Sequence, residues 1–97
     1  MATDVLLGHF TDQGIQNVKG SPARARAFQE TAGQAGVKVK ASYWTLGQYD
    51  FVVILEAPND ETLTAAVLSL AAQGNVRTQT LRAFDAEAVS LIVGKMP

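Results

Sequence analysis

Few side chains in this sequence are suited to chemistry: one histidine, one tryptophan, two tyrosines, and eight basic against nine acidic residues, with no cysteine. His9 is the candidate acid or base, because imidazole is the side chain whose ordinary pKa lets it change charge near neutrality. At a strand end, with Asp12 and Arg77 expected nearby, it is equally explained as a surface group hydrogen-bonded to a carboxylate. Trp44, Tyr49, Asp50 and Arg82 form the candidate ligand-binding set. Asp50 beside Arg82 would be a charge pair able to orient a polar ligand in an apolar pocket, with the aromatic rings as flat walls. Trp44, Tyr49 and Asp50 also have a purely architectural role open to them. Asp50 can accept hydrogen bonds at the start of a strand, Tyr49 can cover a hairpin edge, and Trp44 and its neighbour Tyr43 can pack on opposite faces of a strand.

Other chemistries are excluded by residue type. Without cysteine there are no disulfides, thiolate nucleophiles, iron–sulfur clusters or cysteine zinc sites. One histidine and scattered carboxylates do not supply the three or four convergent ligands of a metal site, so neither metal nor cofactor is expected. Gly33-Gln34-Ala35-Gly36 closes a helix, whereas a phosphate cradle follows a strand and opens a helix. No Gly-x-Ser-x-Gly elbow, paired serine and histidine, or glycosidase-like carboxylate pair is recognisable. A net charge of −1 and a pI of about 5.7 argue against nucleic acid or anionic membrane as a partner. No run approaches the ~20 apolar residues of a membrane span, and the first residues lack a signal-peptide pattern. The cytoplasm is the expected compartment.

The elements that must position these residues are legible from periodicity and punctuation. Asp4 to Phe10 reads as a strand, closed by Thr11-Asp12. Gln13 to Val18 suggests a short helical turn. A helix restarts at Ser21-Pro22, with Ser21 as N-cap, buries Ala25, Phe28, Ala32 and Ala35, and stops at Gly36. Val37 to Leu46 alternates, with Val37, Val39, Ala41 and Tyr43 on one face and Lys38, Lys40, Ser42 and Trp44 on the other. Leu46-Gly47-Gln48-Tyr49 suits a two-residue type II′ hairpin. Asp50 to Ala57 is a strand apolar on both faces, as a covered central strand is. Pro58-Asn59-Asp60 opens a helix with Leu63, Val67, Leu70 and Ala71 as its stripe and Gly74 as its end. Asn75 to Phe84 is the fourth strand, and Asp85 caps a last helix carrying Ala88, Val89, Ile92 and Val93.

The order βαββαβ plus a tail helix predicts a ferredoxin-like α+β fold over residues 1–97 as one domain, its four-stranded antiparallel sheet ordered 4-1-3-2 with both main helices on one face. Strands one and three are taken to run parallel. That sorts His9, Asp12 and Arg77 to one edge and Trp44, Tyr49, Asp50 and Arg82 to the other. The second sheet face is left bare.

Tyr43-Trp44-Thr45-Leu46-Gly47-Gln48-Tyr49-Asp50-Phe51-Val52-Val53 resembles the signature hairpin of the GYD-domain family, named for its Gly, Tyr and Asp. Leu6 to Ile15, Ser21 to Ala25 and Gly74 to Phe84 resemble it too, so the likeness covers roughly residues 4 to 95. Members often carry lysine at the place of His9. The resemblance implies a fold and no particular reaction. Gly47-Gln48-Tyr49-Asp50 is also similar to the hairpin in effector-binding domains of feast/famine regulators, which pair two sheets as dimeric α+β barrels and bind small effectors at subunit junctions.

Charged residues are 18% of the chain, below the ~25% usual for globular domains. With the two-sided apolar third strand, this predicts a homodimer or higher even oligomer, and the resemblance of the hairpin implies that it is built as a dimeric α+β barrel. Its expected use is self-assembly or binding of a small apolar or aromatic ligand. The competing expectation is a cofactor-free monooxygenase or isomerase using His9, or Asp50 with Arg82.

Overall fold

Alternation along one strand divides the molecule into two sides. In β3 (Phe51–Ala57) Phe51, Val53, Leu55 and Ala57 are buried while Val52, Ile54 and Glu56 are only partly covered, because successive side chains of a strand point to opposite faces. The computed structural model describes residues 1–97. The other elements are β1 (Ala2–Phe10), α1 (Asp12–Gln16), a 3₁₀ turn (Val18–Gly20), α2 (Ser21–Gln34), β2 (Lys38–Trp44), α3 (Asp60–Ala72), β4 (Val76–Ala83) and α4 (Ala86–Val93). This is the expected α+β, ferredoxin-like fold. Its sheet is ordered β2-β3-β1-β4, the same order as 4-1-3-2 read from the opposite edge.

Helix starts follow the polar residues that end the preceding segments. Thr11 Oγ1 accepts from the Gly14 N–H, Asn59 Oδ1 from Thr62 and Asp85 Oδ1 from Ala88, each satisfying a backbone donor that the first turn leaves unpaired. α2 departs from this pattern. Gly20, not Ser21, precedes its first turn, and the Ser21 hydroxyl instead accepts from Trp44 Nε1 at 2.9 Å. The serine thus ties the helix to the edge strand.

Strand direction also differs from expectation. β1 pairs antiparallel with β3 as well as with β4. A crossover makes β1 and β2 parallel; the hairpin reverses β3 against β2, so β3, lying between them, must oppose β1. The end of β1 therefore meets the starts of both β3 and β4, as Gly8 opposite Phe51 and Phe10 opposite Val76 show.

The hairpin is wider than a two-residue turn. Thr45 N–H donates to the Asp50 carbonyl at 2.8 Å, leaving Leu46 to Tyr49 as the loop, with Gly47 at φ +119°. Thr45 Oγ1 donates to the Tyr49 carbonyl.

A register shift between Val39 and Ala41 corrects the face assignment of β2. An extra residue at a bulge moves everything beyond it to the other face. Val39 faces the helices opposite Leu55, but so do Ser42 and Trp44, while Ala41 and Tyr43 lie opposite Ile54 and Val52 on the far face.

The core lies between sheet and helices: Leu6, Val37, Val53, Leu55, Ala57 and Val76 meet Ala32 of α2 and Leu63 of α3. Gly8 belongs to this layer for a steric reason. A Cβ there would stand 1.9 Å from Cζ of Phe51, whose ring lies across the glycine. Gly8→Ala is expected to lower stability by about 1–3 kcal/mol, the usual cost of overpacking. The same substitution in a Phe51→Leu background should cost less, a non-additivity measurable by urea unfolding of the four proteins.

Candidate functional site

Three surfaces receive the residues singled out in the sequence. The first is the hairpin end of the sheet. Asp50 is pinned there by the backbone: its Oδ2 accepts from the Phe10 N–H at 2.8 Å, and its own N–H donates to the Gly8 carbonyl at 2.8 Å. The carboxylate thereby closes the end of the β1–β3 pairing, which is the architectural one of its two expected roles. Tyr49 reaches across the sheet, its hydroxyl donating to Gln79 Oε1 at 3.1 Å, and its ring lies 4.9 Å from that of His9 at an interplanar angle of 33°. His9 sits opposite Arg77 and is exposed, and its imidazole makes no hydrogen bond or ion pair. Asp12 stands separately in the first turn of α1.

The second surface holds Arg82, and it overturns the expected pairing with Asp50. Asp50 lies beside Gly8, whereas Arg82 lies opposite Asp4, four residues or about 13 Å back along β1. Its Nε donates to Asp4 Oδ1 at 3.1 Å, and its Nη2 pairs with Asp60 at the start of α3. The expectation fails because it rests on a parallel β1–β3 pair. Asp4 is 3% exposed, and its second oxygen has no partner in the chain. The hydrogen bond that Arg82 donates to Asp4, then the charges of Asp4 and Asp60, raise the Arg82 pKa above its ordinary value. A raised cation pKa means a stabilising contribution fully present below the ordinary value and lost only as pH rises past the raised one, so the arginine stays charged throughout the neutral range. Sequence reasoning does not single out Asp4 or Asp60, since Asp4 reads as the polar start of an apolar run; counting the antiparallel β1–β4 register would have found Asp4.

The third surface is a cleft of about 340 Å³ between α2 and the sheet. Trp44 lines it with Phe10, Phe28, Phe51, Ser21 and Arg24. Of the four candidate ligand-binding residues Trp44 alone reaches it. The Phe10 and Phe51 rings approach to 5.9 Å in its floor. In the sequence Arg24 reads only as an outward-facing helix residue, because a 3.6-residue period does not say which residue flanks a gap between layers. No group of three or more metal-ligating side chains comes together anywhere in the chain.

A two-layer ferredoxin-like module, with its helices on one face of the sheet, is what this geometry defines. The family model of the GYD domain matches residues 5–93, and the chain belongs to that family. It is 40% identical over 84 residues, 86% of this chain and 88% of the other, to the glutamine synthetase and cystathionine beta-lyase binding protein of Thermus thermophilus. Among solved structures, TTHA0845 from Thermus thermophilus superposes with a TM-score of 0.57 at 26% identity, covering 89% of this chain and 96% of that one. FFRP-DM1 superposes with a TM-score of 0.61 at 21% identity, covering 87% and 100%, a likeness of fold.

Substitutions at Asp50, Arg82 and Asp4 test the architectural roles of these residues. Asp50→Ala should destabilise by about 1–3 kcal/mol by orphaning the Phe10 N–H, while Asp50→Asn, which retains an acceptor, should cost clearly less; thermal melts compare them. Arg82→Met should lower the melting temperature by leaving Asp4 buried without its cation, and Asp4→Asn in that background should recover part of the loss.

Proposed function

We propose that the chain is a binding module that pairs with a second copy through its open sheet face and docks onto enzyme partners. The observation that carries the pairing is the face itself. Val5, Leu7, Val52, Ile54, Tyr43 and Leu81 lie on the side of the sheet away from the core, and Tyr43 and Leu81 are 61% and 43% exposed. The Cα atoms span only 18 Å in the thinnest direction, room for a sheet and one helix layer but no third layer. Only 13 of 97 residues are buried, a small core for a chain of this length.

The area argument draws in α4. Four strands about 4.8 Å apart and about eight residues long cover on the order of 500 Å², while a stable interface takes about 800 Å² per partner. Val89, Leu91, Ile92 and Val93 of α4 are exposed, and this helix has no substantial packing partner within the chain. Placed against the second copy, they supply the remaining apolar area.

The docking half of the reading draws on the relative named for binding glutamine synthetase and cystathionine beta-lyase, with 40% identity over most of both chains. Leu46, fully exposed at the hairpin tip, and Leu68 on α3, 62% exposed, remain available outside the paired faces. No helix is long and apolar enough to cross a membrane, and we place the module in the cytoplasm, beside such enzymes. A cofactor-free enzyme is the second reading, and one observation favours it: His9 and Tyr49 border the open face, so pairing would enclose them with whatever the sheets trap.

Native mass spectrometry tests the proposal. The chain alone is expected to show an even subunit number, and Ile54→Glu to give a monomer with an unchanged far-ultraviolet circular dichroism spectrum. A monomeric unmodified chain would remove the pairing. Adding glutamine synthetase or cystathionine beta-lyase from the same host should yield a joint mass with at least one of them; failure with both would remove the docking.

A further inference from the structure

We propose that the cleft between α2 and the sheet is a binding site for a small carboxylate with a flat apolar body, and that Arg24 supplies the charge that recognises it. The cleft lies on the opposite side of the sheet from the pairing face, so it is independent of the oligomer argued above.

Shape and wall chemistry come first. A volume of about 340 Å³ is at the small end of ligand pockets. Phe10, Phe28, Phe51 and Trp44 give it aromatic walls, which favour a planar body slid between rings over a branched one. The Trp44 ring is held by its Nε1 donating to Ser21, so this wall is fixed before any ligand arrives. The Ser21 hydroxyl is committed as acceptor to that bond, which leaves its own proton free to donate to an anion.

Charge then selects among planar molecules. The lining contains two arginines, Arg24 and Arg26, and no carboxylate. Arg24 makes no ion pair, and its Nη2 is shut off from solvent with no acceptor in the chain. A guanidinium cannot shed its proton to escape that situation, and a charge partly stripped of hydration with nothing in its place is costly. Arg82 shows the contrast, since that guanidinium, although more exposed, has both Asp4 and Asp60 as partners. The guanidinium folds back over the helix start, where a Cβ on Gly20 would stand 2.9 Å from Arg24 Nη1. An anion entering the cleft is the missing counter-charge, and a carboxylate matches the planar fork of the arginine.

The test uses the full-length protein labelled with nitrogen-15, in which the single tryptophan gives one indole N–H signal. 4-Phenylbutyrate and benzoate serve as probes, with 4-phenylbutyramide as the uncharged match. The Trp44 indole and Arg24 Nε–H signals are expected to shift saturably with the acids, and the amide to bind about ten-fold or more weakly. Arg24→Gln should erase the preference for acid over amide while leaving the Trp44–Ser21 signal in place, and Arg26→Gln should change it little. No saturable shift with either acid, equal affinity for acid and amide, or shifts confined to the open sheet face would each overturn the proposal. The acid-to-amide comparison is made on the unmodified protein, so it decides the matter even if the Arg24 variant does not fold.

Discussion

The rest of the structure hangs on the antiparallel pairing of β1 with both of its neighbours. A central strand with two partners fixes the height of every side chain on three strands at once. It is this register that sets Asp4 against Arg82 at one end and brings the Asp50 carboxylate to the Phe10 N–H at the other. Gly8 permits it at the tightest point, where the Phe51 ring crosses the strand. The same register turns Val5, Leu7, Val52, Ile54 and Leu81 to one side together, so the open apolar face is a by-product of building the core. Core and open face are one constraint seen from two sides.

How much of this the amino-acid order discloses depends on how far apart in the chain the deciding contacts lie. Local signals read true: Thr11, Asn59 and Asp85 each cap the helix that follows, because a cap needs only three residues. The strand order is legible as well, since short connections and right-handed crossovers leave few ways to arrange four strands. Taking β3 as parallel to β1 is an error that the hairpin between β2 and β3 already contradicts, and that one slip puts Arg82 beside Asp50. The bulge near Lys40 is harder. Nothing in Lys38-Val39-Lys40-Ala41 announces an extra residue, and strict alternation puts Trp44 on the face opposite Val39 when both in fact face the helices.

The candidate sites divide in the same way. Trp44, Tyr49 and Asp50 stand out by residue type, and all three make specific contacts. Arg24 and Ser21 do not stand out, because their meaning comes from what is missing around one and what reaches the other from 23 positions away. A helical period distinguishes inside from outside; it carries no information about a gap at the boundary. The Ser21-Pro22 pair is instructive, since as a sequence signal it marks a helix start, and it does start α2. Its hydroxyl is nevertheless free for other work, as the preceding 3₁₀ turn has already bent the chain into the helix.

The thinness of the molecule, 18 Å across its shortest dimension, bears on what one copy can enclose. Catalytic groups need a water-excluded volume in which charges act strongly, and a sheet with one helix layer encloses little of it. His9 and Asp50 lie at the ends of the two central strands, and Asp50 Oδ2 accepts from a backbone N–H. What the two layers do provide is area: a flat apolar face, an unpacked terminal helix and an aromatic cleft on the reverse side, each addressable without disturbing the others. The open face and the cleft are separated only by the sheet, whose strands touch both. Coupling between them would pass through Phe51 and Val52, neighbours in one strand that face the cleft and the open side in turn.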